Sequence, residues 1–291
     1  MKVDYLRGNA TASAIGLFVI CRHLSKIDEA RKPEMLRNDL QPLRSQQKGA
    51  GDVMEASLAI GSGLGVLQEA PGAGWSVAPE LRGPLQNVEL DVWAWFRGEL
   101  LLRINRQAMA AIAAKEPVPD LALGMAWFLQ LNPLTPLPTS WGDGAEDALK
   151  SLGLKAIERS EQWRPFMRWS IALGLARNVD SGKSAVCLPD ASTAIADQFH
   201  ALPASAHAQE WLNLLTKRLP IFGSPVLLAE LPQRRAGWLE VPPALSLGLL
   251  KLEKSGAITM EPSDDAADII NVGLGTSSRQ VGSITVTGAS V

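Results

Sequence analysis

The sequence predicts a mainly α-helical protein with tandem winged-helix domains, in which helices precede a small β-wing. This prediction rests first on residues 241–268, where the leucines of 245–252 fall on one side of a short helix and Gly256 ends that helix. The next apolar side chains, Ile258 and Met260, alternate with polar residues as they do in a strand. A helix, a tight turn and a strand in this order are typical of a winged helix.

The same order of features occurs near the N-terminus. Apolar side chains recur at helical spacing in three successive stretches, and Trp75-Ser76-Val77 follows them as a strand-like wing. Thr11 or Ser13 can cap the first helix. Asp52, with Glu55 three residues later, resembles the capping box that begins a helix. The predicted elements are helices at 10–25, 32–38 and 52–69 and a strand at 75–77.

The pattern between the two ends is helical. In residues 161–175 we expect Trp163, Phe166 and Trp169 to order the region from its core, with Phe166 deepest. The strand predicted at 283–287 is expected to return to the sheet of the C-terminal wing. The predicted elements are helices at 91–114, 120–131, 145–154, 161–175, 193–201, 206–219 and 245–254, and strands at 185–188, 258–260 and 283–287.

These elements predict three domains. An N-terminal winged-helix domain is expected over 1–85, a helical middle domain over 86–204 and a C-terminal winged-helix domain over 205–291. A chain of 291 residues is long enough for this division, and a hydrophobic content of 46% is enough to give each domain a core.

Charge is distributed unevenly along the chain. The formal net charge is only −2, which argues against a protein that coats nucleic acid through bulk charge. Residues 1–50, however, carry nine Lys or Arg against five Asp or Glu, whereas residues 51–150 carry six against twelve. The N-terminal fifty residues are therefore where contact with a polyanion is expected.

Cysteine usage and the absence of a long apolar run indicate the compartment. Cys21 and Cys187 are far apart in apolar surroundings and lack a CxxC or histidine partner, so we expect two free thiols in a reduced, cytoplasmic setting. The start MKVDYLRGN lacks an apolar h-region, and no run reaches 18 uncharged apolar residues. We therefore expect a soluble protein without a membrane partner.

No motif in the chain indicates catalysis. Gly61-Ser62-Gly63-Leu64-Gly65 resembles a dinucleotide loop, but no strand precedes it, so close packing of a helix is the better interpretation. Gly182-Lys183-Ser184 lacks the earlier glycine of a phosphate-binding loop and is interpreted as a turn. His23, His200 and His207 are not at ligand spacing, and the aspartates of 264–268 lack the spacing of a calcium loop. We expect no enzyme activity, no cofactor and no metal site.

The candidate DNA contacts are basic side chains near the second predicted helix. In a winged helix this region lies against phosphate oxygens, although the alternative interpretation is a solvated helix face. The residues are Arg31, Lys32, Arg37, Arg44 and Lys48.

The corresponding basic groups of the C-terminal domain are accompanied by acidic side chains. Glu230, Glu240 and Glu253 lie close to them in the sequence, so that domain is more consistent with a protein-binding module. The basic residues are Arg234, Arg235, Lys251 and Lys254.

Several short patterns along most of the chain resemble one known family. They are Gly16-Leu17-Phe18-Val19, Met35-Leu36-Arg37-Asn38-Asp39-Leu40, Ser57-Leu58 through Gly65-Val66-Leu67, Trp163-Arg164-Pro165-Phe166-Met167-Arg168-Trp169 leading to Leu173-Gly174-Leu175-Ala176, Leu188-Pro189-Asp190, and Leu252-Glu253 to Asp264. On these residues the chain resembles DpdG, a component of bacterial gene clusters that insert 7-deazaguanine bases into DNA and restrict unmodified DNA. The resemblance implies an accessory protein that works beside helicase and nuclease components, and it transfers no active-site residue.

Two functions are consistent with these observations. In the first, the protein is a DNA-binding and scaffolding component of a DNA-modification or phage-defence complex, with one winged helix on the phosphate backbone. In the second, the protein only binds other proteins and its winged helices do not contact DNA. The basic N-terminus favours the first function, and the nearly neutral total charge favours the second.

Overall fold

The structure is a computed structural model that describes residues 4–40, 53–151, 153–180, 185–232, 241–263 and 269–288. About 51% of the chain is helical, and the small sheets are antiparallel, which confirms the prediction of a mainly α-helical protein. Within the described ranges, no helix combines the length and the apolar character that crossing a bilayer requires.

Groups of helices and short strands follow one another along the described residues. The helices are α1 (Ala14–Ser25), α2 (Pro33–Leu40), α3 (Val53–Gly63), α4 (Pro79–Gln86), α5 (Val92–Ala113), α6 (Asp120–Phe128), α7 (Ala145–Lys150), α8 (Ser160–Ala172), α9 (Ser192–Ala196), α10 (Ala208–Arg218), α11 (Pro225–Leu228) and α12 (Pro243–Lys254). The strands are β1 (Leu67–Ala70), β2 (Gly74–Val77), β3 (Leu137–Pro138), β4 (Ala176–Asp180), β5 (Ala185–Pro189), β6 (Ser205–His207), β7 (Ile258–Glu261), β8 (Ile270–Leu274), β9 (Ser277–Val281) and β10 (Ser283–Val286).

One arrangement occurs three times. A helix ends at a glycine with positive φ, a strand follows at once, and an antiparallel strand returns beside it. We call the three segments the first unit (residues 14–78, ending α3-β1-β2), the second unit (120–190, ending α8-β4-β5) and the third unit (192–287, ending α12-β7-β10).

The three glycines that end these helices make the same backbone bonds. Gly65, Gly174 and Gly256 have φ of 66°, 72° and 76°, a region that residues with a Cβ atom rarely adopt. The glycine N–H donates to the carbonyl three residues earlier, at 2.9, 3.1 and 2.9 Å. The next N–H donates to the carbonyl five residues earlier, at 2.9 Å in each case. This is the Schellman arrangement, which satisfies the last carbonyls of a helix and turns the chain into a strand.

Each unit also closes in the same register. The residue after the returning strand donates its N–H to the carbonyl oxygen of the residue that follows the capping glycine, at 3.0 Å in all three units. Two residues before the end of that strand, a third segment pairs on its other side. The third-segment pairs are Arg31 with Trp75, Leu137 with Cys187 and Ala206 with Ile284. The returning strand is therefore central in every unit.

The units share one continuous core. Buried apolar side chains from Tyr5 to Ile284 form a single cluster, and α5 contributes Phe96, Leu100 and Ile104 to it. Trp163, Phe166 and Trp169 are fully buried, which confirms their predicted orientation. The division into domains at residues 85 and 204 stays a prediction.

Several predicted elements differ from the structure. The helix predicted over 52–69 ends at Gly63, and Leu67–Ala70 is a strand, because Gly65 turns the chain out of the helix. The middle region, predicted to be helical with one short strand at 185–188, contains the three-stranded sheet β3-β5-β4. The predicted return of residues 283–287 to the C-terminal sheet is confirmed, because β10 pairs with β7.

Candidate nucleic-acid interface

Arg31 is the candidate DNA contact whose backbone pairs with a strand. Its N–H donates to the carbonyl of Trp75, and the N–H of Trp75 donates back, both at 2.8 Å. The pairing places Arg31 between α1 and α2, against the central strand of the first unit. The residue is half-buried, and its Nε has no hydrogen-bond partner among the described residues.

Lys32 and Arg37, before and within α2, differ in exposure. Lys32 directly precedes the helix, whose first residue is Pro33, and it is exposed. Arg37 lies in the last turn and is half-buried. The structure therefore brings Arg31 and Lys32 together beside the hairpin and sets Arg37 further along the helix. Arg44 and Lys48 lie outside the described residues.

The helix and hairpin that would approach a groove are not basic. The described part of the first unit has no Lys or Arg in α3, whose exposed residues include Val53, Glu55 and Ala59. The hairpin of β1 and β2 carries one charged residue, Glu69, which is exposed. These elements offer apolar and acidic groups, which do not attract phosphate oxygens.

In the third unit, Lys251 is committed to a buried carboxylate. Asp190, at the end of the second unit, accepts a hydrogen bond from Lys251 Nζ and lies 3.0 Å from Arg177 Nε. Burial alone would raise the pKa of Asp190, but the hydrogen bonds from Lys251 and Ser192 hold this pKa below its usual value. Lys254 is exposed, and Arg234 and Arg235 lie outside the described residues.

Two arginines of α8 were missed as candidate site residues. Arg164 and Arg168 are exposed on a helix whose other side is buried. Arg168 donates to the carbonyl oxygens of Ala10 and Ala12, at 2.5 and 2.8 Å, and it has no carboxylate partner among the described residues. Their spacing of four residues, between the aromatic side chains of EQWRPFMRWS, is the sequence signal for a basic stripe on a buried helix.

Asp120 and the two cysteines are buried in the core. Asp120 is buried at the start of α6 and accepts hydrogen bonds from the backbone N–H groups of Tyr5 and Leu6, both at 3.0 Å. Burial raises the pKa of Asp120, and these hydrogen bonds oppose the rise.

Cys21 and Cys187 are free and buried, as predicted, and burial raises the pKa of the Cys187 thiol to about 12. Among the residues that the structure describes, no group of three or more His, Cys, Asp or Glu side chains is arranged for a metal ion.

Comparison with known proteins identifies the family of the chain. A family model described as DpdG-like matches residues 7–266, which is most of the chain. No curated protein and no solved structure matches. The match begins just before α1 and continues beyond β7, so it includes all three glycine-capped helices. The chain therefore belongs to the DpdG-like family.

Proposed function

We propose that this protein is a non-enzymatic scaffolding subunit of a bacterial DNA-modification and phage-defence complex, and that its three units are winged helices. The order of elements supports the second part. Each unit has a helix, a bridging segment, further helices and a pair of antiparallel strands, and in the third unit the β8–β9 hairpin lies between the two strands of the pair. The last strand is central in every unit, and this order supports the winged-helix assignment. Membership of the DpdG-like family supports the setting.

Burial of the capped helices is the observation that carries the scaffold assignment. A winged helix that reads DNA inserts its last helix into the major groove. In the second unit, however, α8 buries Gln162, Trp163, Pro165, Phe166, Met167, Trp169 and Ser170 in the core. In the third unit, α12 has one exposed residue, Lys254. This burial of α8 and α12 is more consistent with a rigid body that binds protein partners than with a domain that reads base edges.

A second candidate function is contact with the DNA phosphate backbone through the first unit. The exposure of Lys32 beside the hairpin favours it, because this is where a winged helix meets phosphate oxygens. In this alternative, Arg31, Lys32, Arg37, Arg44 and Lys48 act as phosphate contacts and carry no sequence preference.

Two measurements on the full chain test these functions. In the first, the protein is co-expressed with the helicase and nuclease components of the same modification system, and we expect it to co-elute with at least one of them on size exclusion. In the second, fluorescence anisotropy follows binding to duplex and single-stranded DNA over a range of salt. We expect the protein alone to bind no more tightly than non-specific binders, whose Kd is about 10⁻⁴–10⁻⁶ M at physiological salt.

A charge-reversal pair decides between the two functions. If the first unit binds phosphates, Lys32→Glu with Arg37→Glu should abolish DNA binding, and each single change should flatten the salt dependence of log affinity by about 0.9. The matched control is Lys217→Glu with Lys254→Glu, two exposed lysines of the third unit. Tight DNA binding that only the first pair removes, in a protein with an unchanged circular dichroism spectrum, would reject the scaffold assignment in favour of the second function.

A further inference from the structure

A groove of about 570 Å³ is lined by residues of α1, α5, α8 and β4. Its lining is mainly apolar, and the apolar side chains are those of Ile15, Trp93, Met167, Ile171 and Ala172. Ile15 is 48% exposed, although it lies on a helix whose opposite side is core. The groove therefore presents large apolar side chains to solvent at a concave surface, which is the usual form of a binding site.

The free edge of β4 lies at one end of this groove. In the described sheet, β4 pairs with β5 alone. The bond from Asp190 N–H to the carbonyl of Leu175 fixes which residues of β4 face β5, because hydrogen-bonded pairs alternate in an antiparallel ladder. The backbone N–H and carbonyl groups of residues 177 and 179 therefore point toward β5. Those of Asn178 point the other way, outward from the open edge of the sheet. Asn178 also lines the groove, which places an unpaired backbone position beside the apolar surface.

The charged side chains of the groove are both basic. Arg97 and Arg168 line it, and its lining includes no Asp or Glu. Arg97 is neutralised by Asp197, but Arg168 has only carbonyl partners among the described residues, and Arg164 is exposed one turn earlier on α8. A ligand with carboxylates would complement this charge.

We propose that this groove binds an extended peptide segment of a partner protein, in which apolar side chains are interspersed with carboxylates. The segment pairs with Asn178 through two backbone hydrogen bonds, as in β-strand addition. Its apolar side chains lie against Ile15, Trp93 and Ile171, and a carboxylate meets Arg168. This inference rests on the proposed scaffold function and names the chemistry of one partner-binding surface.

The equivalent strand of the first unit provides an internal comparison. Position 178 follows Gly174 by four residues, as Glu69 follows Gly65, so the backbone of Glu69 also points away from its own hairpin. That edge carries an acidic side chain where the second unit carries Asn178. The two edges share a backbone geometry and differ in their surroundings, so one serves as the control for the other.

The test uses a displayed library of random peptides of about ten residues, selected on the full-length protein. We expect the selected peptides to combine Leu, Ile, Val or Phe with Asp or Glu. The best peptide is then titrated by anisotropy against four variants. Ile15→Glu places a negative charge in the groove, and Asn178→Pro removes the free N–H at an edge position that proline tolerates. Each should weaken binding by about tenfold or more.

Two matched variants leave the groove unchanged. Val226→Glu alters an apolar side chain that is 50% exposed on α11, and Glu69→Pro alters the equivalent edge of the first unit. Both should bind the peptide within about twofold of the wild type, a difference of about 0.4 kcal/mol. Thermal melts test whether each of the four variants is folded. If Asn178→Pro does not fold, Ile15→Glu, which lies on a different element, decides whether the groove binds the peptide.

Several results would overturn the inference. They are a selection that enriches no peptide, a consensus rich in Lys or Arg, and peptide binding that is the same in Ile15→Glu as in Val226→Glu. Two further results would assign the groove to a different ligand, namely DNA binding or self-association that is lost in Ile15→Glu. Failure of the scaffold function is distinguishable, because co-elution with the helicase and nuclease components is measured without the peptide.

Discussion

Arg97 and Asp197 form a bidentate ion pair that joins α5 to the end of α9. Arg97 Nε and Nη2 donate to the two carboxylate oxygens of Asp197, at 2.6 and 2.7 Å, and both side chains are largely buried. Burial raises the pKa of Asp197, and the hydrogen bonds from Arg97 oppose the rise. Because α5 also packs on α1 in the first unit, this pair connects the first unit with the third.

Removing one member of this pair should be costly. Arg97→Met leaves the carboxylate of Asp197 buried without its partner, so we expect the free energy of unfolding to fall by about 3–5 kcal/mol. The double variant Arg97→Met with Asp197→Leu should recover much of this loss, because an apolar pair needs no desolvated charge. Urea unfolding of the two single variants and the double variant measures the coupling, and simple additivity of the single losses would contradict it.

The contact between Lys251 and Asp190 predicts a loss of stability that depends on pH. The lowered pKa of Asp190 means that its carboxylate contributes stability above the usual carboxyl pKa, and that this contribution is lost as the pH falls through the lowered value. Lys251→Met should therefore cost about 1.5–3 kcal/mol at pH 7, and the cost should shrink below about pH 4 as Asp190 becomes protonated. Lys254→Met is the control, and a cost that is constant between pH 7 and about pH 3 would contradict the assignment.

Phe166 should be the most sensitive aromatic position of α8. Its ring is fully buried, stacks on Trp163 with centroids 5.6 Å apart, and meets Phe128 edge-on at the same distance. Phe166→Ala should lower the free energy of unfolding by about 3–5 kcal/mol and give insoluble or easily melted protein. A melting temperature equal to that of the wild type would show that the ring does not order this region.

The capping glycines allow backbone strain to be separated from steric overlap. At Gly256 an added Cβ meets no atom within 4 Å, whereas at Gly174 it lies 2.9 Å from Thr193 Cβ and Cγ2. Gly256→Ala should cost about 1–2 kcal/mol for the left-handed conformation alone. Gly174→Ala should cost about 1–3 kcal/mol more because of the overlap. Equal losses by thermal melting would mean that Thr193 moves aside freely.

Much of the fold was predictable where one side of an element is apolar. The helix that Asp91 begins was predicted over 91–114 and is observed as Val92–Ala113, with the side chain of Asp91 accepting the N–H of Ala94. The strand β4 was not predicted, because Arg177, Asn178 and Asp180 make both of its sides polar and leave no alternation. The strand is instead formed by the cap at Gly174 and by pairing with β5.

The candidate DNA contacts were less predictable than the helices around them. The bridge between Arg31 and Trp75 involves one residue on each side, and one residue carries no periodic signal. The exposure of Lys32 follows from its place before α2, whereas the half-burial of Arg37 depends on tertiary packing. The groove beside β4 involves residues from three helices and a strand, so its lining could not be assembled from the sequence alone.

The closing bond of each unit does not depend on the length of chain between its two strands. Residues 71–73 form a short exposed turn in the first unit, whereas the third unit places the β8–β9 hairpin between β7 and β10 and still makes the same 3.0 Å closing bond. An exposed turn with closely spaced ends tolerates insertions well. The turn after Gly72 is therefore a suitable place for an epitope tag or a fluorophore, which would report on complex assembly without touching the shared core.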